Sequence, residues 1–317
     1  MILLVKTIAQ AGLAVNENLV IKRNRITNPN MGLTGKKRVC IVTGTHGDEL
    51  EGQYVCAKLA GYLSENSSAL NGIVDIYPAL NPLGIDSITR GIPMFDLDMN
   101  RIFPGTSEGT MAECIAADII SDIKGADICI DIHSSNIYLK EIPQVRINEI
   151  SAEELVPYAK MLNIDYIWVH SAATVLESTL AYSLNELGTK TLVVEMGVGM
   201  RITKEYCDQL FDGILNLLKN VGVWNGKTKP VREPILSTDH DVDFINSSAA
   251  GIFVPCVDHW VDIEKGAHIG DVLDPATGRV EEYVTAPCAG KIFTLREFPV
   301  VYGGSLIARI LGGKNNA

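Results

Sequence analysis

Residues 38–49 read Arg38-Val-Cys-Ile-Val-Thr-Gly-Thr-His-Gly-Asp-Glu49. The first six residues form a short run rich in apolar and β-branched side chains, which predicts a strand buried on both faces. The turn that follows leads into a helical pattern from Leu50 to Leu63. A buried strand followed directly by a turn and a helix is the repeating unit of an α/β fold with a largely parallel sheet.

The same alternation extends on both sides of this stretch, up to about residue 222. The pattern predicts strands at 1–6, 19–26, 73–78, 127–133, 166–170 and 191–197, and helices at 111–123, 151–162, 179–187 and 204–218. Residues 81–110, rich in glycine and proline, are predicted to form a long loop, and loops of that length in a compact domain usually have a function. Ligands of such sheets gather at the carboxyl ends of the strands.

The composition of the chain changes after Trp224. The segment Asn225-Gly-Lys-Thr-Lys-Pro is typical of a linker, and from about residue 230 short strands separated by glycine and proline replace the helical patterns. We therefore predict two domains, an α/β domain over residues 1–228 and a smaller all-β domain over residues 229–317.

Composition also bounds the class of function. The net charge of -11 and the lack of a lysine- and arginine-rich run argue against nucleic acid as a partner. The seven cysteines include no CxxC pair and several lie in apolar runs, which favours buried thiols in a reducing compartment. No stretch is long enough to span a membrane, so a cytoplasmic protein is expected. A chain of 317 residues needs no metal to fold, so a bound metal would be functional.

His46 and Glu49 form an HxxE pair on the turn after the first buried strand. Catalytic zinc takes three protein ligands, often two histidines and one glutamate, and this turn can present a nitrogen and a carboxylate to one ion. Short motifs also arise by chance, so an ordinary solvated turn is the alternative interpretation.

The segment Asp131-Ile-His133 closes another apolar strand. A histidine at a strand end matches the position of His46 and is a candidate third ligand, although a lone histidine there can also be an ordinary core or surface residue. Asp131 lies two residues earlier, hence on the same face, where it could orient a metal ligand or simply cap the loop.

Two further segments carry groups suited to hydrolysis. Glu195 closes the apolar strand Thr191-Leu-Val-Val-Glu-Met-Gly, where a carboxylate is unusual unless it is functional or paired with a cation. Beside a metal-activated water it could act as general base. Asn100 and Arg101 end a loop that begins at Arg90, and an arginine with an asparagine can grip a carboxylate, although a solvated surface loop has the same composition.

Taken in order, HxxE, DxNR, DIH and VEMG over residues 40–200 resemble the succinylglutamate desuccinylase/aspartoacylase family, which is related to the zinc carboxypeptidases. The resemblance implies a mixed sheet flanked by helices. It also implies one zinc ion per chain, bound by His46, Glu49 and His133. Glu195 would be the general base that later protonates the leaving amine, and Arg90 would polarise the scissile carbonyl. Asn100 and Arg101 would bind a substrate carboxylate.

The chain departs from the aspartoacylase pattern in one segment. That enzyme has a further carboxylate-binding arginine before its general base, whereas Leu180-Ala-Tyr-Ser-Leu-Asn-Glu-Leu-Gly contains none. A substrate with one carboxylate, or with an amino group, therefore fits better than a dicarboxylate. Glu177 and Glu186 could meet such an amine, although exposed helix residues are the alternative.

The C-terminal segments around Gly266, Pro287 and Gly304 resemble the half-repeats of a biotinyl/lipoyl-type barrel-sandwich domain, without the usual context of its modified lysine. In the family such a domain flanks the active-site mouth. Here it could restrict access, or it could only add stability or an oligomer interface.

The leading hypothesis is a zinc-dependent hydrolase that cleaves the amide bond of a small, carboxylate-bearing N-acyl amino acid. A metallocarboxypeptidase acting on short peptides is the alternative among enzymes, and a metal-free binding protein is the alternative from another class. The complete set of His46, Glu49, His133 and Glu195 disfavours the latter. The oligomeric state stays open.

Overall fold

A computed structural model of the chain describes residues 4–171 and 177–312. The α-helices of this part are α1 (Glu51–Glu65), α2 (Pro82–Ser87), α3 (Met111–Ile123), α4 (Ala152–Ala159), α5 (Leu180–Glu186) and α6 (Lys204–Asn220). The strands are β1 (Leu4–Gly12), β2 (Asn18–Ile26), β3 (Arg38–Thr43), β4 (Ile73–Tyr77), β5 (Ile128–Ser134), β6 (Leu139–Asn148), β7 (Tyr166–His170), β8 (Lys190–Gly197), β9 (Ile235–Thr238), β10 (Val242–Asn246), β11 (Gly251–Pro255), β12 (Asp262–Ile263), β13 (His268–Leu273), β14 (Val280–Thr285), β15 (Gly290–Arg296), β16 (Val300–Val301) and β17 (Leu306–Leu311).

The larger sheet is mixed, and its centre is parallel. Strands β4, β3, β5 and β8 run parallel to one another, whereas β2 and β6 flank them antiparallel. The parallel centre explains why β3, β5 and β8 are apolar runs, since helices cover both of their faces. The predicted mixed α/β sheet flanked by helices is therefore confirmed.

Alternate residues of β3 face the two apolar cores of this sheet. Val39 and Ile41 pack in the core that contains residues of α1 and α6, and Cys40 and Val42 pack in the core that contains residues of α3 and α5. Full burial of such a side chain contributes about 1.5–3 kcal/mol, so the two cores hold the central strands firmly in register. The carboxyl ends of these strands consequently form a rigid platform.

The strand β6 is missing from the sequence-based prediction. Its ten residues contain Pro143 and five charged or amide side chains, so neither an apolar run nor a regular alternation marks it. Glu141 and Gln144 are nevertheless buried and Arg146 is half-buried, because these side chains bind one another: Gln144 Nε2 donates to Glu141 Oε2 at 2.8 Å and Arg146 Nη2 donates to Glu141 Oε1 at 3.1 Å. Side-chain pairing of this kind cannot be read from hydropathy.

The predicted loop 81–110 also differs in detail. It contains α2, whose N-cap Asn81 accepts a hydrogen bond from Gly84 N, and a 3-10 turn at Met99–Arg101. Residues 1–3 of the first predicted strand lie outside the described residues, and β1 continues from Leu4. The other predicted elements agree with the structure to within about three residues at each end.

The C-terminal part is built from strands, and no α-helix follows α6 in the described residues up to 312. Strands β14, β13, β11 and β16 form a separate antiparallel sheet. However, β15 pairs with β6, and β9 pairs with β7, so the large sheet continues across residue 228. The domain boundary at 228/229 stays a prediction. What the pairing shows is that C-terminal strands reach the sheet that carries the candidate site.

Candidate active site

The turn after β3 places His46 and Glu49 at the carboxyl edge of the sheet. Gly47 lies against the start of α2, where an added Cβ would come within 1.9 Å of the Gly84 carbonyl carbon, so only glycine fits. The Gly47 N–H donates to the Arg90 carbonyl oxygen at 3.2 Å. The turn is thereby packed against the loop that carries Arg90.

The three predicted metal ligands come together here. His46 Nδ1 lies 2.7 Å from Glu49 Oε1, and His133 Nδ1 lies 3.0 Å from Glu49 Oε2. All three side chains are buried, and one ligand atom from each lies within 4.8 Å of the others. Two imidazoles and a carboxylate form a typical catalytic zinc donor set, so these residues fit the metal that the resemblance implies.

The second nitrogen of each imidazole faces a carboxylate. His46 Nε2 is 3.0 Å from Asp98 Oδ1, and His133 Nε2 is 3.1 Å from Asp131 Oδ2, the latter as an ion-pair contact without hydrogen-bond geometry. Such outer carboxylates fix the tautomer and ring orientation of metal-binding histidines, leaving Nδ1 as the ligand atom. The structure therefore places Asp131 where an orienting group belongs. Asp98, the first residue of the DxNR motif, was not predicted from the sequence to have this role.

Arg90 lies next to Glu49 and Asp98. Its Nη1 donates to Glu49 Oε1 at 3.0 Å, and its Nη2 lies 3.4 Å from Asp98 Oδ2. The side chain keeps 41% of its surface exposed, so the guanidinium borders the open space beside the three ligand side chains. A cation held in this position can stabilise negative charge that develops on a substrate oxygen.

The electrostatics follow from these contacts. Burial lowers the pKa of His46, but Glu49 and Asp98 outweigh it and raise that pKa overall. Burial likewise disfavours the imidazolium of His133, but Asp131 and Glu49 raise its pKa well above the usual value. Burial alone would raise the pKa of Glu49, yet the two histidines hold it below its ordinary value. The cluster therefore keeps an ionised carboxylate between two strongly polarised imidazoles.

A cavity of about 530 Å³ opens beside this cluster and contains Glu195 in its wall. Glu195 and His133 are partners across the β5–β8 pairing, so their side chains project from the same face of the sheet. Burial raises the pKa of Glu195, and Arg146 opposes the shift. The predicted salt-bridge alternative is partly realised, because Arg146 Nη1 is 3.5 Å from Glu195 Oε1. That separation still leaves the carboxylate facing the cavity.

Asn100 and Arg101 line the same cavity. The Asn100 side-chain oxygen accepts a hydrogen bond from Leu180 N at the start of α5, at 2.9 Å. Its amide nitrogen is therefore the group that can donate to a ligand. Arg101 Nη1 donates to the Asn100 carbonyl oxygen at 2.8 Å, and its side chain remains exposed. The pair presents donors of the kind that bind a carboxylate.

Three charged residues of the cavity wall were not predicted from the sequence: Glu141, Arg146 and Arg309. The first two lie on β6, which was not predicted, and the third lies on β17 in the C-terminal part. A charged residue inside an otherwise apolar strand was the available signal for Arg309, as it was for Glu195, but short C-terminal strands carry several such residues.

Helix α5 forms another part of the wall through Tyr182, Asn185 and Glu186. Of the two glutamates singled out from the sequence, Glu186 borders the cavity, whereas Glu177 is exposed and is not among the residues that line it. Of these two glutamates, Glu186 is therefore the one that a cationic group of a ligand in the cavity could meet.

A second group of possible ligands lies on the C-terminal sheet. Cys256, His268 and Asp271 have ligand atoms within 4.8 Å of one another, although no sequence spacing suggested it. His268 Nε2 is 2.7 Å from Asp271 Oδ1, and both Cys256 and His268 are exposed. His268 and Asp271 therefore form a pair at the surface with the Cys256 thiol beside it, and the group lies outside the cavity. All seven cysteines are free, and Cys40, Cys56, Cys129 and Cys207 are buried as predicted.

None of the helices in residues 4–171 and 177–312 combines the length and apolarity that a membrane crossing requires.

The chain is similar to known proteins over most of its length. A curated relative, the N-alpha-acetyl-L-2,4-diaminobutyric acid deacetylase of Halomonas elongata, is 27% identical over 309 residues, which cover 92% of this chain and 84% of that protein. An ectoine utilization protein from Ruegeria pomeroyi has the same fold, with a TM-score of 0.82 at 22% identity over 96% of this chain and 93% of that one.

A succinylglutamate desuccinylase/aspartoacylase structure from Rhodobacter sphaeroides gives a TM-score of 0.80 at 24% identity, over 97% of this chain and 94% of the other. Residues 35–221 match the succinylglutamate desuccinylase/aspartoacylase catalytic domain, and this span contains every candidate site residue predicted from the sequence. The chain therefore belongs to the succinylglutamate desuccinylase/aspartoacylase family, which confirms the resemblance found in its motifs.

Proposed function

We propose that the protein is a zinc-dependent hydrolase that cleaves the amide bond of a small N-acyl amino acid. The observation that carries the proposal is one cavity lined by His46, Glu49 and His133, with Glu195 and Arg90 in its wall. Metal-assisted amide hydrolysis needs metal ligands, a general base and a cation that stabilises the developing negative charge. The three ligand side chains, the half-buried Glu195 and Arg90 can supply these. The deacetylase of Halomonas elongata, similar over most of this chain, supports the same class of reaction.

His46, Glu49 and His133 would hold the metal, with Asp98 and Asp131 orienting the two imidazoles. A bound zinc ion supplies Lewis acidity, which polarises a carbonyl and lowers the pKa of water. Zinc suits this donor set, whereas cobalt and manganese accept similar ligands. One ion per chain is expected, because the three ligands form one cluster.

Glu195 would move the protons of the reaction. It takes a proton from the attacking water as the water oxygen bonds to the amide carbon. It then gives that proton to the amide nitrogen as the carbon–nitrogen bond breaks, so the products are a carboxylic acid and a free amine. A raised pKa suits this double role, since the glutamate must release the proton as readily as it binds it.

Arg90, Asn100 and Arg101 would position the substrate. Arg90, held by Glu49 and Asp98, would donate to the carbonyl oxygen as charge develops there; one such donor is worth about 10²–10³-fold in rate. Asn100 and Arg101 would bind the carboxylate of the amino acid portion, since both present donors to the cavity.

The substrate would carry one carboxylate and an amino group, and the amino group would face the part of the wall formed by α5. This helix contributes Tyr182, Asn185 and Glu186 to the cavity and no arginine. The name of the Halomonas relative describes a substrate with an amine of this kind. An N-acetyl diamino acid is therefore our first candidate.

A deacylation screen tests this proposal. Zinc-loaded protein would be offered N-acetyl and N-succinyl derivatives of diaminobutyrate, aspartate, glutamate and neutral amino acids, together with dipeptides, and released amine would be measured. We expect turnover of one N-acyl amino acid with a preference for a cationic side chain. Cleavage of dipeptides alone would establish the carboxypeptidase alternative. Protein that binds no zinc and gains no activity from added metal would contradict the enzyme assignment and favour a metal-free binding protein.

A further inference from the structure

The cavity wall contains a network of four charged side chains. Glu195 Oε1 lies 3.5 Å from Arg146 Nη1, and Arg146 Nη2 donates to Glu141 Oε1 at 3.1 Å. Arg309 Nη1 donates to the same Glu141 oxygen at 2.7 Å. This network thus runs from the candidate base Glu195 on β8, through β6, to Arg309 on β17, the last strand.

Glu141 is the most firmly held side chain of this network. Its Oε2 accepts hydrogen bonds from Gln144 Nε2 at 2.8 Å and from Thr294 Oγ1 at 2.6 Å, in addition to the two arginines on Oε1. Only 1% of the residue is exposed. A buried carboxylate with four donors has its lone pairs filled, so it is held in one orientation.

The charges of the four side chains balance. Arg146 and Arg309 carry two positive charges and share Glu141, so one positive charge needs a further partner. Glu195 is the carboxylate that faces it. Both guanidinium groups also lie over the Trp168 ring, at 5.5 Å each, which restricts how far either can turn.

We propose that Arg146 is a positioning residue for Glu195, and that the C-terminal strands β15 and β17 hold Arg146 in place by fixing Glu141 through Thr294 and Arg309. This inference rests on the proposed role of Glu195 as general base. The C-terminal part thereby completes the machinery of the reaction rather than merely bordering the cavity. Arg146 acts through Glu195 and is not itself required to touch the substrate.

A direct contact of Arg146 with a substrate carboxylate is the competing role, because Arg146 also lines the cavity. The two roles separate in steady-state kinetics. Loss of a positioning residue lowers kcat for every substrate, since the base is misplaced in each case. Loss of a carboxylate-binding residue raises KM and does so only for substrates that present the carboxylate.

The experiment compares Arg146→Gln, Arg146→Lys, Thr294→Val and Arg309→Gln in zinc-loaded, full-length protein. We expect Arg146→Gln to lower kcat about 10–100-fold with little change in KM, a fraction of what a general base contributes. Arg146→Lys should recover part of the loss because it keeps the charge facing Glu195. Thr294→Val and Arg309→Gln should lower kcat less, and the effects of Arg309→Gln and Arg146→Gln should not be additive, because both act on Glu141.

Arg296→Gln is the matched control for folding. Arg296 is a buried arginine of β15 whose donors bind the carbonyl oxygens of Phe298, Val300 and Leu306, and it lies outside the cavity wall. Its replacement should lower the melting temperature with kcat unchanged. Zinc content should be the same in all variants.

Unchanged kcat in Arg146→Gln, or a rise in KM alone, would overturn the positioning role. An unchanged kcat in both Thr294→Val and Arg309→Gln would overturn the contribution of the C-terminal strands. If the wild-type protein deacylates no substrate, the proposed function fails before the variants are compared, so the two failures are distinguishable.

Discussion

The cavity has two ends with different origins in the chain. The metal end, formed by His46, Glu49, His133, Asp98 and Asp131, comes from strand ends and turns of the parallel centre, with contacts between residues 2 to 84 positions apart. The base end, formed by Glu141, Arg146, Glu195 and Arg309, joins residues up to 168 positions apart. Short motifs specify the metal end, whereas the base end exists only once the sheet has continued into the C-terminal strands.

The largest expected effect separates the two ends. His46→Ala or His133→Ala should remove zinc and all activity, because each deletes one of the three proposed metal ligands. Glu141→Gln, at the base end, should keep zinc and lose only part of the turnover. Zinc content by atomic spectroscopy and the deacylation rate, measured on the same samples, check this contrast. Loss of zinc from Glu141→Gln would show that the two ends are not separate.

The outer carboxylates should have the next largest effect. Asp98→Asn and Asp131→Asn keep the shape of each side chain but remove the charge that holds an imidazole. We expect zinc affinity to weaken about 10–100-fold in each variant, as is usual for partners of ligating histidines. Competition with a chromogenic chelator measures the affinity. The same affinity as wild type would mean that packing alone orients His46 and His133.

A pH titration sharpens the description of the metal end. Zinc binds the neutral imidazole, and neighbouring carboxylates raise the pKa of both His46 and His133 in the metal-free protein. Protons therefore compete with zinc at a pH above the ordinary histidine pKa of about 6.5, and affinity should fall steadily as pH decreases. Calorimetric titrations with zinc over this range test the sign. An affinity that rises at lower pH contradicts it.

The smallest expected effect concerns the exposed group on the C-terminal sheet. Cys256→Ser should leave zinc at one ion per chain and should change stability by less than about 0.5 kcal/mol, since the thiol lies at the surface and outside the cavity. Metal analysis of both proteins after dialysis provides the check. A loss of one zinc from the variant would reveal a second metal site at His268 and Asp271.

The sequence predicts the metal end of the site and Glu195, but not the rest of the base end. The apolar strands β3, β5 and β8, and the positions of His46, Glu49, His133 and Glu195 at their ends, follow from periodicity and from the general location of ligands in parallel sheets. The structure brings these four residues to one cavity. Local patterns sufficed because each side chain is positioned by its own strand.

Apart from Glu195, the base end could not be predicted, because its residues do not stabilise their own strands by apolar burial. Glu141, Gln144 and Arg146 would be unfavourable in a buried strand if they were unpaired. Gln144 and Arg146 bind Glu141, and Thr294 and Arg309 supply its remaining partners. A sequence window that contains β6 holds none of the C-terminal donors. Long-range pairing of charges therefore explains both the missed strand and the missed residues.

In the proposed mechanism, His46, Glu49 and His133 hold zinc while Glu195 moves the proton. The most direct test is Glu195→Gln, with zinc content and deacylation of the preferred N-acyl amino acid measured together. We expect one zinc per chain and a rate reduced by about 10²–10⁴-fold, the usual contribution of a general base. A variant that retains zinc and near wild-type turnover would contradict it, because another group would then be the base.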